Sequence, residues 1–172
     1  MQFLQYFFWL SIAIVFYTYI GYGIILFILV RIKEKIHPPS PLKIREPLPD
    51  VTLFIAAYNE EKIVEEKMEN CHNLNYPKEK LHIVWVTDGT TDSTNNKLAS
   101  YPEITILFSP ERKGKTAALN RGMQFIKTPY TIFTDANTML NPEAIREIMT
   151  CFSDPKVGCV AGEKRIETKD KD

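Results

Sequence analysis

Apolar and polar positions divide this 172-residue chain into two parts with different periods. From Tyr6 to Val30 it reads YFFWLSIAIVFYTYIGYGIILFILV, apolar at nearly every position, and no charge occurs before Arg31. A helix over this stretch is about 38 Å long, against about 30 Å for a bilayer core, so it spans with some tilt. Fifteen of its residues are Ile, Leu, Val or Phe. At about −0.3 to −0.6 kcal/mol each, they favour insertion by roughly 5 to 9 kcal/mol before the Ser, Thr and Gly discount. A signal peptide has a basic start, a shorter apolar core and a small-residue cleavage site. Here MQFLQY is uncharged and no A-x-A follows. A buried core helix is the other alternative to a membrane span. Arg31, Lys33 and Lys35 come next, and the positive-inside rule puts that flank and the rest of the chain in the cytosol, at the inner or plasma membrane.

Residues 1–36 are thus expected as a transmembrane helix with a basic flank. HPPSPLKIREPLPD, residues 37–50, holds five prolines and predicts an extended linker. From residue 51 to 172 short apolar runs alternate with helical spacing. VTLFIAA (51–57), HIVWVT (82–87), ITILF (104–108), YTIFT (130–134) and VGCVA (157–161) predict five strands. Ile63, Val64, Lys67, Met68 and Cys71 fall on one helical face, as do Ala118, Leu119, Gly122, Met123 and Ile126. A short helix is expected over 93–100. Asn141 followed by Pro142 predicts a cap and a first-turn proline, with Ile145, Ile148, Met149 and Phe152 as the buried stripe. Strand and helix in alternation imply an α/β domain with a mostly parallel sheet.

Composition narrows the function classes. Lys plus Arg equals Asp plus Glu, so no field of one sign points to nucleic acid. Cys71, Cys151 and Cys159 are an odd number without a CxxC pair, which argues against a disulfide framework or a zinc site. His37, His72 and His82 are scattered.

A polar cluster follows each of the first four strands: Ala57-Tyr58-Asn59-Glu60-Glu61, Asp88-Gly89-Thr90-Thr91-Asp92, Ser109-Pro110-Glu111-Arg112-Lys113-Gly114-Lys115, and Asp135-Ala136-Asn137. In an open parallel sheet the carboxyl ends share one edge, and ligands bind in the crevice there. The four clusters should therefore converge. Gly114-Lys115-Thr116 is not a phosphate loop, because Ser109 stands where that motif needs glycine. Asp88-Gly89 resembles a hairpin turn, but STNNKLAS behind it does not alternate. No GxGxxG follows the first strand. Asp135 and Asn137 offer the oxygen ligands that Mg²⁺ or Mn²⁺ prefers, with Arg112, Lys113 and Lys115 nearby for a diphosphate. A helix cap or a solvated turn explains Asp135 alone equally well, and turn chemistry so explains Asp88 and Asp92.

Taken together, the Ala57–Glu61 loop, the Asp88–Asp92 loop, Gly114-Lys115 with Ala118-Leu119-Asn120-Arg121-Gly122, and Asp135-Ala136-Asn137 resemble family 2 glycosyltransferases in order and spacing, from about Pro49 to Gly162. The closer likeness is to membrane-bound polysaccharide synthases. The resemblance implies a GT-A fold, a Rossmann-like mostly parallel sheet with one crevice. It implies transfer of a sugar from a nucleotide sugar, usually UDP-linked, to a saccharide or lipid-linked acceptor with inversion. Ala57, Tyr58, Asn59 and Glu60 would form the first nucleotide-contacting loop, Asp88 would meet the uracil ring, and Lys115 would lie near the nucleotide or sugar. Asp135 and Asn137 would match the DxD site for a divalent metal, Mg or Mn. Asn137 keeps a carbonyl oxygen but drops one negative charge, leaving Asp135 the stronger ligand.

No residue of the chain matches the family's catalytic base, which is expected beyond Asp172; Glu163 and Glu167 stand outside that acidic context. The chain therefore reads as the donor-binding half of a longer enzyme. A non-catalytic module that holds a nucleotide sugar is the alternative from another class. A nucleotidyltransferase would carry a Gly-rich basic loop after the first strand, and AAYNEE is neither Gly-rich nor basic.

Overall fold

The computed structural model describes residues 2–36, 38 and 42–163. The chain forms two units, Met1–Pro41 and Leu42–Asp172. In the first, α1 (Gln2–Phe16) runs through a π-helical turn, Tyr17–Gly21, into α2 (Tyr22–Ile36). The whole element is 35 residues long, extends beyond the apolar run Tyr6–Val30 at both ends within the expected 1–36, and measures about 52 Å. The Ser11 and Thr18 hydroxyls donate to the carbonyls of Phe7 and Ile14, which hides these polar groups in the helix itself. No residue of it is buried and the apolar positions cover every side. A helix apolar all round requires protein or lipid around it, and this one is long and apolar enough to cross a membrane.

In the second unit four parallel strands lie in the order β3-β2-β1-β4: β1 (Val51–Ala57), β2 (Leu81–Asp88), β3 (Thr105–Ser109) and β4 (Tyr130–Asp135). The central strands β1 and β2 are almost continuously apolar because both faces are covered. Alternate side chains of β1 serve opposite faces. Val51, Leu53 and Ile55 pack with Ile83, Trp85 and helices α3 (Val64–His72), α4 (Thr94–Leu98) and α6 (Ala144–Cys151). Phe54 packs with Val84, Val86 and Ala118 of α5 (Lys115–Met123) on the other. Gly122 permits that second layer: a Cβ there would stand 2.4 Å from Phe54 Cζ.

Several expectations change in detail. Residues 157–161 join no strand ladder; a strand exists only by its neighbour's hydrogen bonds, and among the described residues none offers them. The last helix starts at Ala144, after a turn in which Ala144 N–H donates to Asn141 O, so Asn141 is not its cap. Met123 is exposed, on the rim of the α5 face. Residues 42–50 of the Pro-rich stretch lie against the domain: Leu48 is buried, Pro49 O accepts from Tyr76 Oη at 2.6 Å, and Leu48 O accepts from Lys80 Nζ. Pro39, Pro41 and Glu167 lie outside the described residues.

Candidate functional site

Strands β2 and β3 extend the sheet to one side of β1, and β4 returns to the other. The crevice outside the carboxyl ends opens at that reversal. A cleft there is lined by Ala57 at the end of β1 with Tyr58 and Glu60 after it, Asp88 at the end of β2, Arg112, Gly114 and Lys115 after β3, and Asp135 at the end of β4 with Ala136 and Asn137 after it. A second lobe shares Ala56, Lys115 and Asp135 with the first, and adds Leu119, Phe133, Thr134, Thr138 and Glu163. The Lys115 ammonium donates to Asp135 Oδ1 at 2.5 Å on the wall the lobes share.

Asp88 is 5% exposed. Its Oδ2 accepts from the backbone N–H of Lys113 at 2.8 Å and of Gly114 at 2.7 Å, tying the β3–α5 loop to β2. Its Oδ1 is buried and has no hydrogen-bond partner among the described residues; Arg121 Nη1 stands 3.8 Å away. Arg121 Nη2 in turn donates to the carbonyls of Thr87 and Leu107, so this guanidinium is fixed behind the cleft. Gly89 has a φ of 65°, and its missing Cβ would lie 2.6 Å from Arg112 Cβ. Glycine thus lets the β3–α5 loop close onto β2 and brings the Arg112 guanidinium 3.8 Å over the Tyr58 ring.

Asn59 is the sequence candidate that the cleft lining leaves out. With a φ of 53°, it turns its side chain onto the neighbouring loop: its Oδ1 accepts from Thr91 N–H at 2.9 Å. Glu60 N–H donates to Thr94 Oγ1, Glu61 N–H to Asp92 Oδ2, and Ser93 N–H to Glu61 Oε2. These polar residues zip the β1 and β2 loops together, which satisfies backbone groups that no ladder serves.

Beneath β4 lies a residue whose type gave no warning of its role. Lys67 of α3 is fully buried and donates to Thr138 O and, at 3.4 Å, to Thr134 Oγ1. Burial holds its ammonium below the usual lysine range, against the pull of Cys71 and Asp135. Burial also pushes the Cys71 thiol up to about 11. The helical spacing had already put Lys67 on the inward stripe of α3. Arg112 carried a weaker signal, a cation two residues before the loop glycine Gly114, and Arg121 one within the α5 segment Ala118–Gly122.

The glycosyl transferase family 2 profile matches residues 52–171. The chain belongs to that family. Among its relatives, the poly-beta-1,6-N-acetyl-D-glucosamine synthase of Staphylococcus aureus is 28% identical over 98% of this chain and 41% of the relative. The synthase of the same name from Staphylococcus epidermidis is 27% identical over 69% of this chain and 29% of the relative. The chain thus spans about two fifths of the first of these. Of solved structures, the mannosyltransferase PcManGT of Pyrobaculum calidifontis, in complex with GDP-Man and Mn²⁺, superposes with a TM-score of 0.69, at 28% identity, over 90% of this chain and 47% of the other. Staphylococcus aureus TarS 1–349 with UDP superposes at 0.54 and 20% identity, over 57% and 30%; this supports the fold. The family 2 assignment and the GT-A-type parallel sheet agree with the order of the four loops.

Proposed function

We propose that this family 2 chain binds the nucleotide-sugar donor, a UDP-sugar, of an inverting glycosyltransferase that extends a saccharide at the cytosolic face of a membrane. What carries the reading is a buried carboxylate oxygen, Asp88 Oδ1, that has Arg121 at 3.8 Å but no hydrogen bond among the described residues, beside a cleft lined by Arg112 and Lys115. A buried acceptor left unpaired costs about 1–3 kcal/mol, and a base N–H such as that of the uracil imide would satisfy it. Tyr58 supplies an aromatic face beside it. Lys115 opens α5, where a cation opposes the helix dipole. An anion at that terminus reverses the balance, drawing on both the ammonium and the free N–H groups of the first turn.

A divalent ion fits the oxygen atoms of Asp135 and Asn137. Lys115 already rests on Asp135, so this carboxylate does take a cation there. The described residues hold no group of three or more acidic, His or Cys side chains arranged for a metal. One carboxylate and one amide suit an ion that is shared with substrate phosphates. When bound, it would supply Lewis-acid stabilisation of the departing nucleoside diphosphate. The chain's own residues orient the base with Asp88, gather the phosphates with Arg112 and Lys115, and offer the second lobe to the sugar.

The apolar helix anchors this domain, with Arg31, Lys33 and Lys35 on the cytosolic side. Calorimetry of the purified full chain with UDP and Mn²⁺, then with chelator, tests the donor reading. Tighter binding with the ion is expected, and equal affinity under both conditions refutes the shared-ion site. Labelling an engineered cysteine near residue 38 in intact cells tests the sidedness: modification by an impermeant reagent from outside contradicts it.

A further inference from the structure

The loop from Ala136 to Pro142 carries Asn137 and continues Asp135, yet it belongs to no ladder. Its backbone is held from α3 instead. Lys67 Nζ donates to Thr138 O, and Thr134 Oγ1, at the end of β4, lies 3.4 Å from the same ammonium. One helical turn on, Asn70 brackets Leu140: its Nδ2 donates to Leu140 O at 2.7 Å, and its Oδ1 accepts from Leu140 N–H at 2.9 Å. Residues i and i+3 of a helix share a face, so the two side chains act on the loop as one clamp.

A fully buried ammonium is an expensive way to fill this space. Its hydrogen-bond partners, Thr134 and Thr138, are neutral, so no ion pair at hydrogen-bond distance offsets the cost of burying the charge. Methionine has nearly the same length and volume and carries no charge. What the lysine has and a methionine lacks is the pair of hydrogen bonds to Thr134 and Thr138.

We propose that Lys67 and Asn70 are positioning residues that hold the β4–α6 loop, and with it Asp135 and Asn137, in the geometry that binds the cation–diphosphate unit of the donor. The proposal rests on the donor reading above. Neither residue lines the cleft; both act through the loop's backbone. Partners behind a metal's ligands typically change affinity by about 10–100-fold when removed. The base end, held by Asp88 on β2, is independent of the clamp.

The test compares the full chain with Lys67→Met, using UDP with and without Mn²⁺, uridine alone, thermal unfolding and amide hydrogen exchange. Lys67→Met should leave uridine affinity unchanged, with a fall in melting temperature no larger than the loss of its hydrogen bonds to the loop explains. It should cut the Mn²⁺-dependent gain in UDP affinity by about 10-fold or more, and speed exchange at residues 138–140 while β1 and β2 stay protected. Asn70→Ala, which empties no core position, should do the same to the Leu140 amide and carries the test if the lysine variant does not fold. Unchanged exchange in the loop overturns the clamp. Faster exchange with an intact Mn²⁺-dependent gain overturns its link to the site, and equal weakening of uridine and UDP reduces it to general packing. If the unaltered chain shows no Mn²⁺-dependent gain, the cation reading fails, and loop exchange by itself decides whether the clamp exists.

Discussion

Lys115 Nζ and Asp135 Oδ1 meet at 2.5 Å across the wall between the two lobes of the cleft. Their side chains are 62% and 47% exposed, so the contact itself contributes only about 0–1 kcal/mol to stability. The pair joins the first turn of α5 to the end of β4, through residues that are 20 apart in the chain.

Lys115→Met should therefore separate stability from binding. Unfolding free energy should change by less than about 1 kcal/mol. UDP affinity should fall by about ten-fold or more, the loss of one charge-assisted hydrogen bond, while uridine affinity stays the same. Titration calorimetry with the two ligands reads the difference.

Asp88→Ala should weaken UDP and uridine alike. A hydrogen bond to a charged group is worth roughly 1.5 to 3 kcal/mol, or about ten-fold or more in affinity. The same change frees the amides of Lys113 and Gly114, so faster exchange at these two positions should accompany it. Unchanged uridine binding would remove Asp88 from the base site.

Gly122→Ala places a methyl group 2.4 Å from Phe54 Cζ and 2.8 Å from Val86 Cγ2. Overpacking of this kind typically costs about 1–3 kcal/mol. Denaturant midpoints should drop accordingly, and adding Phe54→Leu should recover part of the loss by making room on the same face.

Tyr76 gives the fold an alkaline limit. Burial, with Asp50 nearby, pushes its phenol up to about 12 from an ordinary 10.0. The folded state therefore keeps a proton that the unfolded chain gives up above about pH 10. The stability tied to it is complete below pH 10 and is lost as pH rises towards 12. Tyr76→Phe should flatten that limb of a stability–pH curve, at a cost near 1 kcal/mol at neutral pH for the hydrogen bond to Pro49 O.

The alternation of apolar runs and helical stripes was enough to read four strands, their parallel class and the edge on which Asp88, Lys115 and Asp135 gather. That is because a strand buried on both faces must be apolar throughout, as β1 is, and because parallel strands direct all their carboxyl ends one way. The expected fifth strand at 157–161 did not follow, since pairing depends on a neighbour and not on the run itself.

By itself the sequence determined the apolar N-terminal helix, the α/β order and the residue types at each loop, since these depend on local period and turn chemistry. Only the tertiary structure decided what each polar side chain does. Asn59 and Asp88 both stand at or just past the ends of apolar strands, yet Asn59 is spent on Thr91 while one oxygen of Asp88 makes no hydrogen bond among the described residues. Lys67 shares the inward stripe of α3 with Val64 and Met68, and its buried ammonium meets Thr138. Hydrogen-bond partners such as these lie 25 to 71 residues apart. Chain packing brings them together, and no local pattern encodes that meeting.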